Sequence, residues 1–229
     1  MNFHECKDKL VKEAIANLAV KVHDYKSRHR KKTIVVTGCG AENGTSTIAT
    51  GLAAALAGAD CRTLLVDADL RKHSDTTTDK GLSDAICHGY EINSIIKLTN
   101  IDGMHFMSSG IYTKEPANLF CSPKTTEFIA TAAAAYDFVI FDSPAVTVVP
   151  DAMALFQVVD GIILVCALDK TRKGQLQAAK DMIEPYADKY YGLVVNFVDK
   201  RQYKHMFPDY RHYSRKDTKQ KKKQKKDDK

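Results

Sequence analysis

The sequence predicts an α/β fold, a mostly parallel sheet with helices on both faces. Three observations predict it. Short apolar runs rich in β-branched residues alternate with segments of helical periodicity, the pattern of strands joined by crossover helices. One of those runs passes through a glycine-rich loop into a small-residue helix, over residues 33–47 (TIVVTGCGAENGTST). Two others end in acids, at Asp67 with Asp69 and at Asp142. In open parallel sheets ligands bind outside the carboxyl ends of the strands, so the loop and the acids are expected to share one site.

Taken in order, residues 5–26 read as a helix. Leu10, Ala14, Leu18 and Val22 recur there at four-residue spacing with Lys and Glu between them. The basic run 26–32 (KSRHRKK) reads as a polar connection. Ile34, Val35 and Val36 form a first strand of the kind found in central parallel positions. Gly38, Gly40 and Gly44 permit sharp turns and a close approach of the backbone to a ligand. Ser46 and Thr47 then open IATGLAAALAG, a run that favours helix. RTLLVDAD is the second strand, and at strand period Asp67 and Asp69 point to one side. Residues 72–80 read as loop, and 82–88 and 92–98 as short helices. MHFMSS (104–109) is a third strand. Helices are expected over 115–120 and 123–135, and DFVIFDSP gives a strand ending at Asp142. GIILVCA (161–167) and YGLVVNF (191–197) are further strands, with a helix over 171–186 between them. The chain has no internal repeat.

A length of 229 residues suits one α/β domain with or without a tail, and 44% hydrophobic residues suffice for a sizeable core. No run of about 18 apolar residues appears, so no membrane span is expected. The N-terminal MNFHECKDKLVKEAI lacks a signal-peptide core. Six cysteines are scattered without C-x-x-C pairs, which reads as reduced thiols of a cytoplasmic protein and not as a disulfide or metal framework. The net charge of +6 is accounted for by residues 214–229, which carry nine Lys/Arg and three Asp. Residues 1–213 are therefore read as the domain and 214–229 as a lysine-rich disordered tail. Such a tail is solvated or drawn to an anionic membrane surface, where each cation contributes about 1 kcal/mol. Nucleic acid is the less favoured partner.

The strict phosphate-loop pattern is G-x-x-x-x-G-K-[ST]. Gly44 and Ser46 fit it, Cys39 stands at its first glycine and Thr45 at its lysine. From this stretch alone an ordinary strand–turn–helix corner reads equally well. A helix N-terminus behind such a loop presents free N–H groups and positive dipole, which suits phosphate. Paired acids at a strand end suit Mg²⁺, which takes oxygen ligands and keeps several waters. Together these are the inventory of phosphoryl transfer.

The segments TGCGAENGTST, LLVDADLRK, GLSDAI, FVIFDSPAV, VDGIILV, KTRKG and GLVVNFVD resemble the bacterial tyrosine kinases of capsule and exopolysaccharide synthesis, over roughly residues 9–213. That family belongs with the deviant-Walker P-loop ATPases of cell division and plasmid partitioning. LLVDADLRK is similar to its Walker A′ motif and FVIFDSP to its Walker B motif. The resemblance implies ATP and Mg²⁺ as cofactors. It implies nucleotide contacts from Gly40, Glu42, Asn43, Gly44, Thr45, Ser46 and Thr47, with Asn196 at the adenine. Ser46, Asp67, Asp69 and Asp142 would serve the metal, and Asp67 and Asp69 the catalysis, Asp67 as base toward a tyrosine hydroxyl. Tyr203, Tyr210 and Tyr213 would be the phosphorylated residues. The resemblance further implies a transmembrane activator as partner, a place at the inner face of the plasma membrane, and homo-oligomers. The chain departs from the pattern in two respects. Thr45 removes the Walker-A lysine, leaving Arg71 or Lys72 as substitute cations. Ala16 and Ala19 stand where the family's first helix carries arginines used in ring assembly. Three readings follow: a tyrosine autokinase, a nucleotide-binding pseudokinase that regulates polysaccharide assembly, and a partitioning-type ATPase.

Overall fold

Thr33–Gly38 is buried at every residue, and this strand (β1) lies inside the sheet with a parallel neighbour on each side. The computed structural model describes residues 1–3, 8–71, 79–111, 113 and 115–206. Two bodies are distinguished, Met1–Asn196 and Phe197–Lys229.

In the first body β1 is joined by β2 (Thr63–Asp67), β3 (Lys97–Leu98), β4 (Met104–Met107), β5 (Phe138–Asp142), β6 (Gly161–Ala167) and β7 (Tyr190–Asn196). The order across the sheet is β3-β4-β2-β5-β1-β6-β7. All neighbours are parallel except β3 with β4. The alternation of strand faces divides the core in two. Ile34 and Val36 meet α1 (Lys9–His29) and α2 (Thr45–Ala57) in one apolar cluster. Val35, Leu64 and Phe141 face the other way. There they meet α3 (Leu82–His88), α5 (Pro116–Phe120), α6 (Pro123–Ala135), α7 (Asp151–Val158) and α8 (Lys173–Ile183). A short helix, α4 (Ile92–Ile95), adds Ile92 and Ile95 to the same cluster. Full burial of each such Val, Leu or Phe contributes about 1.5–3 kcal/mol, so the alternation fixes which face each helix covers.

Four expectations need correction. The packed face of α1 is Ile15, Leu18, Ala19 and Val22, at i, i+3, i+4 and i+7; Ala14 is exposed. A strict four-residue stripe drifts around a helix of 3.6 residues per turn. The basic run is not all connection, because residues 26–29 form the last turn of α1. Cations there complement the helix dipole, and Lys26 Nζ reaches Asp137 Oδ1 at 2.6 Å. Residues 97–98 are not helical but pair antiparallel with Phe106 and His105. Finally, α7 was not anticipated. Its eight residues sit between apolar runs, and its helical period is masked by them.

In the second body α9 (Lys200–Met206) opens with Asp199 Oδ1 accepting from the amides of Arg201 and Gln202, while Gln202 Oε1 accepts from Asp199 N. This reciprocal arrangement caps the helix. Among the described residues no helix is long and apolar enough to cross a membrane. Cys39, Cys61, Cys87, Cys121 and Cys166 are free thiols. Cys6, Lys72, Tyr210, Tyr213 and the tail 214–229 lie outside the described residues.

Candidate functional site

The carboxyl ends of β1, β2 and β5 meet at one edge of the sheet. Asp142 is in register with Val36 of β1 and with Asp67 of β2, so the strand pairing itself sets the two acids side by side. Beyond Gly38 the chain leaves the sheet and must turn back to start α2. Glu42 (φ 58) and Gly44 (φ 80) take left-handed conformations to make that turn. Gly38 has no room for a side chain, because a Cβ there would lie 2.9 Å from both Gly40 O and Thr45 Oγ1. The same contact locates the Thr45 hydroxyl against Gly38.

The loop is braced from within and from outside. Asn43, 5% exposed, accepts from Gly40 N at 2.9 Å through Oδ1. Its carbonyl accepts from Asn196 Nδ2 at 3.0 Å, and Thr171 Oγ1 donates to its Oδ1 at 3.4 Å. Cys39 N donates to Val165 O at 2.8 Å, and Thr147 Oγ1 donates to Cys39 O at 2.7 Å. Burial pushes the Cys39 thiol up to about 12, with Cys166 adding to the effect, so the thiol stays neutral beneath the loop. Gly44 caps α2 without any side-chain hydrogen bond. The first N–H groups of that helix therefore open toward the loop.

A cavity of about 340 Å³ lies above this edge. Of the predicted nucleotide contacts, Gly40, Glu42, Asn43, Gly44, Thr45 and Ser46 line it. Two predicted metal acids, Asp69 and Asp142, line it as well. Thr47, Asp67 and Asn196 are not in its wall. Asn196 is a brace of the loop at this geometry. The sequence reading missed Ser143, Pro144, Ala145 and Val148, which also line the cavity. Their signal was present: they continue the strand that ends at Asp142.

Asp67 and Asp69 do not share one side of a strand as strand period suggested. The strand ends at Asp67, and the chain turns because Asp69 N donates to Asp67 Oδ1 at 3.0 Å. Asp69 thereby enters the cavity wall while Asp67 stays beside Asp142. Arg71 follows in this turn. Its Nε and Nη2 donate to Asp151 Oδ2 and Oδ1 at 2.7 and 2.9 Å. Asp151 is fully buried at the start of α7, so the pair fastens the loop after β2 to the element that follows β5. Arg71 is thus engaged at Asp151 and is not seen standing in for the missing lysine.

The donors suit Mg²⁺. Ser46, Asp69 and Asp142 line one cavity, and their hydroxyl and carboxylates are hard oxygen donors of the kind Mg²⁺ takes. Among the described residues no group of three or more His, Cys, Asp or Glu could hold a metal alone.

The family of CobQ/CobB/MinD/ParA nucleotide-binding domains matches residues 34–221. The tyrosine-protein kinase YwqD of Bacillus subtilis (strain 168) is 33% identical over 196 residues, 83% of this chain and 81% of that protein. The kinase domain of the Escherichia coli tyrosine kinase ETK superposes with a TM-score of 0.75 at 25% identity, over 83% of this chain and 76% of that one. The septum site-determining protein MinD of Pyrococcus horikoshii OT3, complexed with Mg-ADP, shares the fold with a TM-score of 0.56 at 19% identity, over 75% and 72%. The phosphate loop, the acids at two adjacent strand ends and these likenesses agree: the chain belongs to the CobQ/CobB/MinD/ParA nucleotide-binding domains and, among them, to the bacterial tyrosine kinases of capsule and exopolysaccharide synthesis.

Proposed function

We propose that the chain binds ATP with Mg²⁺ in the 340 Å³ cavity and transfers phosphate to tyrosines of its own C-terminal region. The observation that carries this reading is the convergence of an uncapped helix N-terminus, a glycine loop and Asp69 with Asp142 on one cavity. Bound Mg²⁺ would supply positive charge to the phosphates. Ser46, Asp69 and Asp142 are the residues to hold it, and loop amides with Thr47 would hold phosphate oxygens. Asp67, one strand from Asp142, is the base that would take the proton of a tyrosine hydroxyl. Asn196 would serve the adenine in addition to bracing Asn43. Tyr203, on α9, and Tyr210 and Tyr213 are the acceptors. A transmembrane activator is the expected partner, which would set the protein at the inner face of the plasma membrane.

Thr45 favours a second reading, a nucleotide-binding regulator with little transfer. Losing one preorganised donor to developing charge costs about 2.7–4 kcal/mol, or about 10²–10³ in rate. The two readings separate by phosphotyrosine mapping of the full chain after incubation with Mg-ATP, alone and with the activator's cytoplasmic segments. Modification at Tyr203, Tyr210 or Tyr213 that disappears in Asp67→Asn supports the kinase. Nucleotide binding without modification supports the regulator.

A further inference from the structure

Phosphate groups bring several negative charges, and the described cavity wall offers them no lysine or arginine side chain. It offers carboxylates, Glu42, Asp69 and Asp142, and it offers Thr45 where the loop pattern has its cation. A hydroxyl donates one neutral hydrogen bond, whereas an ammonium makes charge-assisted bonds about twice as strong. The loop amides do not make up the difference in full. Gly40 N–H is turned onto Asn43 Oδ1 at 2.9 Å, so that amide is satisfied inside the loop and is not offered to a ligand. The Arg71 guanidinium is bound in two places to Asp151, which is fully buried.

We infer that a nucleoside diphosphate or triphosphate and Mg²⁺ enter this site only as a unit, the metal supplying the charge that Thr45 does not. This rests on the cavity being a nucleotide site. Binding free energies are reciprocal, so the factor by which Mg²⁺ tightens the nucleotide is also the factor by which the nucleotide tightens Mg²⁺. The site also discriminates little between di- and triphosphate, because the group that would reward the third phosphate is the absent ammonium. Thr45→Lys restores that ammonium, so it weakens the linkage and raises the preference for triphosphate.

The test is equilibrium titration of the full chain with fluorescent (mant-labelled) ADP and ATP, in Mg²⁺ and in EDTA, for the parent and for Thr45→Lys. Hydrogen bonds to charged groups are worth about 1.5–3 kcal/mol, which converts to about 10- to 150-fold in affinity. The parent is expected to lose about 100-fold or more in EDTA for both nucleotides, and to bind the two within about threefold of each other in Mg²⁺. Thr45→Lys is expected to lose at least about tenfold less in EDTA and to favour ATP. Comparable parent affinities in Mg²⁺ and EDTA overturn the inference while leaving the nucleotide site intact. Metal-free binding that is lost in Lys72→Ala overturns it too, by naming Lys72 as the cation. No binding of either nucleotide by the parent in Mg²⁺ overturns the nucleotide reading itself, and the inference with it. The parent arms stand alone if Thr45→Lys fails to fold.

Discussion

Removing the Arg71 side chain should destabilise this protein more than neutralising its partner does. The asymmetry follows from burial: the Asp151 side chain is 0% exposed and that of Arg71 is 40% exposed. Arg71→Met leaves a carboxylate in the interior. Breaking a buried pair by removing one partner costs about 3–5 kcal/mol. Asp151 opens α7, and the helix N-terminus returns about 1 kcal/mol of that. The expected loss is therefore about 2–4 kcal/mol. Asp151→Asn leaves a guanidinium that already reaches water and keeps one acceptor for it, so about 1–2 kcal/mol is expected. Arg71→Met combined with Asp151→Leu removes both charges and should recover much of the loss. Urea unfolding of the parent, both single variants and the double variant at neutral pH measures all of these. The pair also ties the turn that carries Asp69 to the element after Asp142, so each single variant should weaken nucleotide binding. An Asp151→Asn loss equal to that of Arg71→Met, or a double variant whose losses simply add, would refute the reasoning.

Two further outcomes follow from groups away from the cavity. The hydrogen bond from Lys26 holds the Asp137 carboxyl below its usual value, partly countered by burial. A depressed folded-state value stabilises above the unfolded one and is lost as pH falls through the folded one. Asp137→Asn should therefore lower the melting temperature at neutral pH, and the difference from the parent should shrink below about pH 4. A difference that persists unchanged at acid pH contradicts this. Among the described cysteines, Cys87 and Cys121 are exposed and should react with Ellman's reagent in the folded protein. Cys39, buried and pushed up to about 12, should react only on unfolding, and its rapid labelling would show that the loop opens in the native state.

The strands and the larger helices were legible because burial and period agree in them. β6 is apolar at every residue and stands where GIILVCA placed it, and α6 spans the anticipated Pro123–Ala135. Where partners remote in sequence decide, the local pattern carries too little. Lys97 and Leu98 are extended because β4 offers them an edge. Asp69 leaves the strand line because the Asp67 carboxylate captures its amide. Asn43 is a structural hub only once Thr171 and Asn196 have been folded against it, 128 and 153 residues away. Thr45 is the opposite case. It was plain in the sequence, and the fold around it explains why one hydroxyl matters, since no described cation lines the same cavity.

The proposed phosphoryl transfer in this cavity, despite Thr45, stands or falls on the modification of the C-terminal tyrosines. The most direct measurement is mass spectrometry of the purified full chain, incubated with and without Mg-ATP, beside Thr45→Lys. ATP-dependent phosphotyrosine is expected at Tyr203, Tyr210 or Tyr213 in both, with the parent slower by about 10²–10³. Phosphotyrosine in Thr45→Lys alone, with none in the parent even when its activator is supplied, would contradict the kinase reading and leave a nucleotide-binding regulator.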